Sequence, residues 1–198
     1  MNFISHRRNT IEELKATPTE YGVEVDIRSD NGKLVIHHDP FASGDDFEKW
    51  IKCYQHGTLI LNVKEEGLEA PLIELMKRYK ISDYFFLDQS FPFLIKWSKQ
   101  GERRCAVRIS EFESIETAYT LAGKIDWVWV DCFTKFPLCG EDAKRLQDSG
   151  FKLCLVSPEL QGRPAETAIP ELAKLLAERY ITADAICTKK PELWKECL

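Results

Sequence analysis

Residues able to carry out acid/base chemistry are concentrated in the first 40 positions of the chain. If residues 23–28 form a strand, their side chains alternate, so Glu24 and Asp26 share one face and apolar residues share the other. An ordinary surface strand also alternates, but two carboxylates two residues apart can hold one hard cation through their oxygens. His38 follows in the next segment, where an imidazole can transfer a proton. The stretch therefore predicts a metal-assisted acid/base site.

The neighbouring elements must bring these groups together. Residues 2–6 have the pattern of a short apolar strand that ends in His6 and is followed by Arg7. A turn signal, Asp-Asn-Gly at 30–32, joins the strand at 23–28 to a second extended run at 33–38, which ends at His38. A hairpin of this kind would return His38 toward the carboxylates.

The rest of the chain alternates strand and helix patterns. Residues 45–55, for example, carry aromatic and aliphatic side chains at helical spacing. Alternation of this kind indicates parallel strands joined by right-handed crossovers, and eight such units close a barrel. We therefore predict an α/β fold, a compact (β/α)8 TIM barrel with a small hairpin after the second strand. An open doubly wound sheet is the alternative, although no glycine-rich phosphate loop follows an early strand. The predicted strands are 2–6, 23–28, 58–64, 83–89, 105–110, 127–131, 152–157 and 183–188.

A barrel of this type has its active site at the carboxyl ends of the strands. Polar residues collect at these predicted ends throughout the chain, and two imidazoles, several carboxylates and several cations among them favour a functional site over solvated strand ends. The set comprises His6, Arg7, Glu24, Asp26, His38, Asn62, Lys64, Asp88, Arg108, Asp131 and Glu159.

Composition limits the class of protein. The chain has 198 residues, 44% of them hydrophobic, which is enough for one sizeable core, so we expect a single domain over 1–198. A net charge of -5 and the absence of a Lys/Arg cluster argue against a nucleic-acid partner. Seven cysteines without a CxxC spacing are typical of buried thiols in a reducing compartment. With no signal-peptide core or membrane span recognisable, we expect a cytoplasmic protein.

Two segments resemble the N-terminal signature of the glycerophosphodiester phosphodiesterase family. These are ISHRRNTIEEL and VEVDIRSDNGKLVIHHDP, which together carry a His-Arg after the first strand, a Glu-x-Asp on the second and a His-Asp after a hairpin. Later pieces, such as LNVKEEGLE and VSPELQGR, are similar to those of a divergent bacterial subgroup of phosphodiesterase-like proteins. The chain departs from the family pattern in strand three, where Lys64 follows Asn62-Val63 and stands where the family has a carboxylate.

The resemblance implies cleavage of a phosphodiester, with one histidine as general base and the other as general acid. It implies His6 and His38 as that pair, Arg7 as a phosphate contact, and Glu24 and Asp26 as ligands of a divalent cation. We expect Mg²⁺ or Ca²⁺, held weakly and with Asn62 or water completing its oxygen shell. The substrate would be a small or lipid-derived phosphodiester, and its further contacts would be Lys64, Arg108, Asp131, Glu159 and Arg163.

Two other functions are compatible with the sequence. A barrel that has lost turnover could bind a phosphorylated or anionic ligand. A barrel lyase or isomerase could use Lys64 as a base or as a Schiff-base amine, which desolvation would make nucleophilic. The sequence contains no signal for the oligomeric state.

Overall fold

The computed structural model describes all 198 residues. Its ten strands belong to one sheet. The strands are β1 (Asn2–Ser5), β2 (Gly22–Asp30), β3 (Lys33–Ile36), β4 (Asp45–Asp46), β5 (Leu59–Val63), β6 (Tyr84–Leu87), β7 (Ala106–Ile109), β8 (Trp127–Val130), β9 (Lys152–Val156) and β10 (Ala185–Thr188).

Helices alternate with the strands, as the sequence predicts. A 3₁₀ turn, Pro158–Gln161, lies between β9 and the helix that follows it. None of the helices is long and apolar enough to cross a bilayer. The helices are α1 (Ile11–Ala16), α2 (Phe47–Ile51), α3 (Glu69–Arg78), α4 (Phe91–Lys99), α5 (Ile115–Tyr119), α6 (Gly140–Asp148), α7 (Ala165–Glu178) and α8 (Pro191–Cys197).

The parallel strands form a curled sheet in the order β7-β8-β9-β10-β1-β2-β5-β6. Strands β3 and β4 are antiparallel and extend from the carboxyl half of β2 as the predicted hairpin. Neighbours in this order are joined by ladders of backbone hydrogen bonds. Because every connection between parallel strands contains a helix, all their carboxyl ends lie on the same side of the sheet.

Strands β6 and β7 are the two ends of this order, and they meet only briefly. One parallel bridge joins Phe86 to Cys105, and the Phe86 N–H donates to the Arg104 carbonyl over 2.8 Å. No ladder continues from this bridge toward the carboxyl ends. The α/β fold and its eight strand-plus-helix units are therefore confirmed, whereas the sheet is curled without the continuous ladder that a closed barrel has.

The segment between β3 and β5 differs from the sequence prediction. In place of one helix over 45–55, Asp45 and Asp46 pair with β3 as strand β4, and the helix α2 occupies only Phe47–Ile51. The Asp46 carboxylate accepts a hydrogen bond from the Lys49 N–H at 2.9 Å and so caps this helix. Side-chain capping of the first turn explains why the helix begins later than its apolar periodicity suggests.

The core has two layers. Forty buried residues pack between the strands and the helices, and 11 others fill the concave side of the sheet. In the concave layer Phe85 stacks on Trp127 with ring centroids 4.4 Å apart. The apolar filling stops below the carboxyl ends of the strands, where the buried charged residues Glu24 and Asp26 begin. Apolar side chains thus fill the concave side of the sheet toward the amino ends of its strands, and polar groups occupy the carboxyl ends.

Candidate functional site

A cavity of about 290 Å³ opens at the carboxyl ends of the parallel strands. It is the meeting point expected for the predicted site, because strands from both halves of the chain contribute to its wall. Of the predicted residues, those that line it are His6, Arg7, Glu24, His38, Asn62, Lys64, Asp88, Arg108 and Asp131. Asp26 lies behind this wall and contacts two of the lining cations, Arg7 and Lys64.

His6 is held at the end of β1 in a largely buried position. Its backbone N–H donates to the Thr188 carbonyl over 2.9 Å, which continues the β1–β10 pairing by one residue. Its Nε2 lies 3.8 Å from Glu24 Oε2. Burial is the largest cause, and together with the charges of Arg7 and Lys189 it lowers the pKa of His6 to about 3. The imidazole is therefore neutral near pH 7 and free to accept a proton.

His38 reaches the cavity from the loop after β3 and is more exposed. Its Nδ1 lies 2.8 Å from Asp39 Oδ1. The hydrogen bond with His38 lowers the pKa of Asp39, so the carboxylate stays ionised beside the ring. The backbone carbonyl of His38 accepts two hydrogen bonds from the Arg28 guanidinium, at 2.9 and 3.2 Å. Arg28, the third charged residue on the inner face of β2, therefore positions the loop that carries His38.

Arg7 has a left-handed backbone, with φ at 52°. This conformation is uncommon for a residue with a side chain, and it turns the Arg7 N–H toward Glu24. The N–H donates to Glu24 Oε2 over 2.7 Å, and the side-chain Nε lies 3.5 Å from Asp26 Oδ2. Arg7 thus contacts both buried carboxylates, one through its backbone and one through its side chain.

The two carboxylates of β2 are fully buried and are held by different partners. Asn62 donates its Nδ2 to Glu24 Oε1 over 2.8 Å. Asn9 donates to Asp26 Oδ2 over 2.8 Å and accepts from the Asp26 N–H over 3.1 Å. Burial, followed by the neighbouring charge of Asp26, raises the pKa of Glu24 to about 7, although the hydrogen bonds from Asn62 and from the Arg7 N–H act in the opposite direction. The pair therefore resists carrying two full negative charges without nearby cations.

Lys64 supplies one of those cations. Its Nζ lies 3.2 Å from Asp26 Oδ1 and 3.3 Å from Asp88 Oδ2. From Asp88 the ion pairs continue to Arg108, whose guanidinium also lies 3.9 Å from Asp131 Oδ2. Opposite charges therefore alternate across the cavity wall from β2 to β8, and each acid faces at least one base.

These residues do not fit a divalent cation as they stand. Each oxygen of Glu24 and Asp26 has a partner at hydrogen-bond or ion-pair distance, and one of these partners is the Lys64 ammonium. No group of three or more His, Cys, Asp or Glu side chains is arranged to hold a metal ion. A cation bound by Glu24, Asp26 and Asn62 would lie next to the ammonium, where like charges repel strongly because solvent is largely excluded.

Two predicted substrate contacts lie outside the cavity wall. Glu159 is turned back by the 3₁₀ turn, so one carboxylate oxygen accepts from Ser157 Oγ and the other from Thr188 Oγ1 and the Lys189 N–H. Arg163 donates to the Cys132 carbonyl over 2.8 Å. Both side chains thus hold loops in place, and we do not propose a substrate contact for either.

The cavity also contains residues that the sequence analysis did not select. Lys189 follows β10 and supplies a further cation, and Gln161 donates to Asp131 Oδ1 over 2.6 Å. Trp129 and Phe133 add aromatic surface. The alternation of β10 extended by one residue would have indicated Lys189, because Ala185 and Cys187 face the concave side. Gln161 had no comparable signal because it belongs to an irregular loop.

The fold and the cavity together define a class of protein: a curled parallel α/β sheet that carries paired histidines, acids and bases at its carboxyl edge. No protein-family model and no curated protein matches the sequence. Solved structures with a similar fold do exist. A glycerophosphodiester phosphodiesterase from Agrobacterium tumefaciens str. C58 superimposes with a TM-score of 0.69 at 13% identity, over 99% of this chain and 98% of that one.

A second similar structure is a glycerophosphoryl diester phosphodiesterase from Parabacteroides distasonis ATCC 8503. It superimposes with a TM-score of 0.66 at 12% identity, over 99% of this chain and 85% of that one. The likeness extends over the whole chain, whereas the sequence resemblance is strongest in the first 40 residues. The chain therefore shares the fold of glycerophosphodiester phosphodiesterases.

Proposed function

We propose that the protein is a phosphodiester hydrolase that cleaves a small or lipid-derived phosphodiester by acid/base catalysis with two histidines. The observation that carries this proposal is the convergence of His6, His38, Arg7 and Lys64 on one cavity of a phosphodiesterase-like fold. An anionic phosphodiester needs cations to bind its oxygens, one group to accept a proton and another to donate one. The cavity offers all three.

His6 is the general base and His38 the general acid in this mechanism. The neutral His6 ring accepts a proton from the attacking water, and the water oxygen bonds to phosphorus. The bond from phosphorus to the leaving oxygen breaks, and His38 gives its proton to that oxygen. Asp39 Oδ1, 2.8 Å from His38 Nδ1, holds that ring in position. Binding of an anionic substrate offsets the charges of Arg7 and Lys189, which raises the pKa of His6 and makes it a stronger base.

In this mechanism, cationic side chains of the protein bind the phosphate group of the substrate. Arg7, Lys64 and Lys189 line the cavity together with the histidines, and Arg108 extends the positive surface toward β8. Asp131 restrains Arg108 from the far side and is also able to accept a substrate hydroxyl. These contacts stabilise the charge that builds on the phosphoryl oxygens in the transition state.

A divalent cation, Mg²⁺ or Ca²⁺, remains a prediction for this site. Glu24, Asp26 and Asn62 are the residues that would hold it, and the ion pair between Lys64 and Asp26 is the observation against it. The steps given above need no cation. Exhaustive chelation tests the point, because activity that survives chelation in full would remove the cation from the reaction.

Replacement of each catalytic histidine tests the proposed function. His6→Ala and His38→Ala should each lower turnover of a glycerophosphodiester by about 100-fold or more, the usual contribution of a positioned acid or base. His56→Ala is the matched control, because His56 contacts the Thr17 carbonyl and lies outside the cavity. Thermal melts establish that each variant is folded. Hydrolysis at the parental rate by both single variants would refute the mechanism.

A binding protein without turnover is the second candidate, favoured by the Lys64 ammonium in the position where the family pattern has an acid. Phosphate binding by calorimetry, without hydrolysis of any phosphodiester, would distinguish it from the enzyme. The lyase alternative is weaker, because Lys64 is already engaged with Asp26 and Asp88. A Schiff base would require both ion pairs to break.

A further inference from the structure

A second cavity lies beside the candidate site and is the larger of the two, with a volume of about 600 Å³. It lies between α4 and α5, on the side of the sheet where β6 and β7 meet. Its volume is in the range that drug-sized ligands occupy. Six of its 12 lining residues are hydrophobic: Leu87, Phe91, Leu94, Ala106, Val107 and Phe112.

The cavity exists because β6 and β7 do not continue as a ladder. Their single bridge is at Phe86 and Cys105, and Leu87 and Val107, beyond the bridge, line the cavity on its two sides. At every other junction of parallel strands, a ladder holds the neighbours too close for a ligand to enter. The opening is therefore a feature of this junction alone.

The two cavities are adjacent and share part of their wall. Leu87, Asp88 and Arg108 line both of them. The ion pair between Asp88 and Arg108 forms the boundary, with the phosphate-binding cations on one side and apolar surface on the other. A molecule with a charged head and an apolar tail could therefore occupy both cavities at once, with its polar–apolar junction at this ion pair.

Exposed aromatic residues surround the same opening. Phe91 and Phe112 are 49% and 75% exposed and line the apolar cavity, and Phe133 is 38% exposed and lines the site cavity. The Phe112 and Phe133 rings are 6.1 Å apart and lie on neighbouring loops. Exposed rings gathered at one opening indicate a surface that an apolar partner covers.

We propose that the apolar cavity binds the alkyl part of an amphiphilic phosphoester substrate whose phosphate lies in the neighbouring site. This inference rests on the proposed function, because it takes the phosphate position from it. It narrows the substrate class to phosphodiesters that carry an alkyl or acyl chain close to the phosphate. A purely polar glycerophosphodiester would leave the cavity unfilled.

Calorimetric titration with two soluble alkyl phosphates tests the inference. Ethyl phosphate reports on the phosphate site alone, and hexyl phosphate adds four methylene groups that can reach the apolar cavity. Full burial of these groups would favour hexyl phosphate by about 200-fold. Both ligands are used well below micelle-forming concentrations.

Variants of the protein test where the alkyl chain of hexyl phosphate binds. Phe112→Ser removes an exposed ring, so the fold does not depend on it, and Thr117→Trp fills the cavity from α5. Each should reduce the preference for hexyl over ethyl phosphate to about threefold or less, because the methylene groups lose their apolar surroundings. Tyr180→Ser is the matched control, because Tyr180 is 93% exposed and precedes β10 at the opposite end of the sheet. It should keep the parental preference.

The outcomes separate this inference from the proposed function. If the parent binds ethyl phosphate but shows no preference for the longer chain, the inference is wrong and the phosphate site stands. If neither ligand binds, the proposed function fails and the inference fails with it. If Phe112→Ser keeps the preference and instead converts a dimer to a monomer in sedimentation, the aromatic surface is an interface between chains and the inference is overturned.

Discussion

At the scale of single residues, the site is distinguished by an ammonium among its acids. Lys64 takes the inner position of its strand two residues after Asn62, and its Nζ lies 3.2 Å from Asp26. Asp26 therefore gains a fixed positive partner that does not depend on the concentration of a metal ion. A lysine is also a compact point charge with rotatable donors, so it can turn from Asp26 toward a phosphate oxygen.

Charge reversal at Lys64 should change what this site binds. Lys64→Glu places a third carboxylate beside Glu24 and Asp26, so we expect Ca²⁺ affinity to rise by at least tenfold by calorimetry. Without a cation the variant should melt about 10 °C below the parent, because a buried acid loses its partner, and Ca²⁺ should restore the loss. Lys174→Glu on α7 is the control for the same change in net charge, since Lys174 is 78% exposed.

The companion variant Lys64→Met tests whether the ammonium contacts phosphate in addition to its ion pair with Asp26. It keeps the length of the side chain and removes the charge, so binding of ethyl phosphate should weaken by about tenfold if the ammonium contacts phosphate. Unchanged phosphate affinity in Lys64→Met, together with unchanged Ca²⁺ affinity in Lys64→Glu, would place this residue outside the site.

Much of this site could be predicted at the residue scale because strands alternate. The period of two correctly assigned Glu24, Asp26, Asn62 and Lys64 to the concave face, and the ends of β1 and β3 brought His6 and His38 beside them. Strand alternation does not apply to Glu159, which lies in the loop after β9 and is turned away from the cavity. Its orientation depends on a 3₁₀ turn and on hydroxyl groups from two other segments, which no local pattern encodes.

At the scale of elements, one carboxylate joins two of the loops at the carboxyl edge. Glu111, in the loop after β7, accepts hydrogen bonds from the backbone of the loop after β8, including those from the Phe133 and Lys135 N–H groups at 3.2 and 3.1 Å. The Thr134 hydroxyl donates to it over 2.7 Å. Burial alone would raise the pKa of Glu111, but these hydrogen bonds lower it to about 2. Phe112 and Phe133 are brought together by this contact.

The contact makes stability depend on pH in a defined window. A carboxylate whose pKa is lower in the folded state stabilises it fully above its unfolded pKa near 4.5, and this stabilisation is lost as the pH falls toward 2. Thermal melts of Glu111→Gln should therefore lie below those of the parent at pH 7 and converge with them near pH 2. Glu116→Gln, an exposed change of the same type on α5, is the control. A difference that is constant with pH would exclude the ionised Glu111 as its cause.

Element positions were easier to predict than element limits. Apolar runs between helical patterns located all eight parallel strands, because buried strands need side chains that pack on both faces. The helix expected over 45–55 was wrong in extent, because its first residues pair with β3 and its last turn is not helical. Pairing of two short segments over a distance depends on the tertiary structure, and apolar spacing alone carries no signal for it.

At the scale of the whole molecule, strand order and chain order nearly coincide. Among the parallel strands, each ladder joins one strand to the next parallel strand along the chain. The exception is the ladder between β1 and β10, in which Asn2 lies opposite Ala185. Closure of the remaining junction, β6 with β7, was predicted from the number of units alone. The number of strands does not determine whether the last two edges come within ladder distance, because that also depends on strand tilt and stagger.

The single bridge between β6 and β7 bears on how fast the chain folds. Joining the native ends with a short linker and cutting at Gly101 gives a chain that begins at β7 and ends at β6, so every ladder then joins parallel strands that are consecutive in sequence. The longest loop closure, between β1 and β10, disappears, and lower contact order speeds folding. Stopped-flow refolding should therefore be faster for this permutant than for the native chain. The control is a permutant cut at Gly123, in which the β7–β8 ladder becomes the most distant pairing, so its refolding should be no faster than that of the native chain. Equal refolding rates for the two permutants would mean that strand β1 meets β10 only after the rate-limiting step.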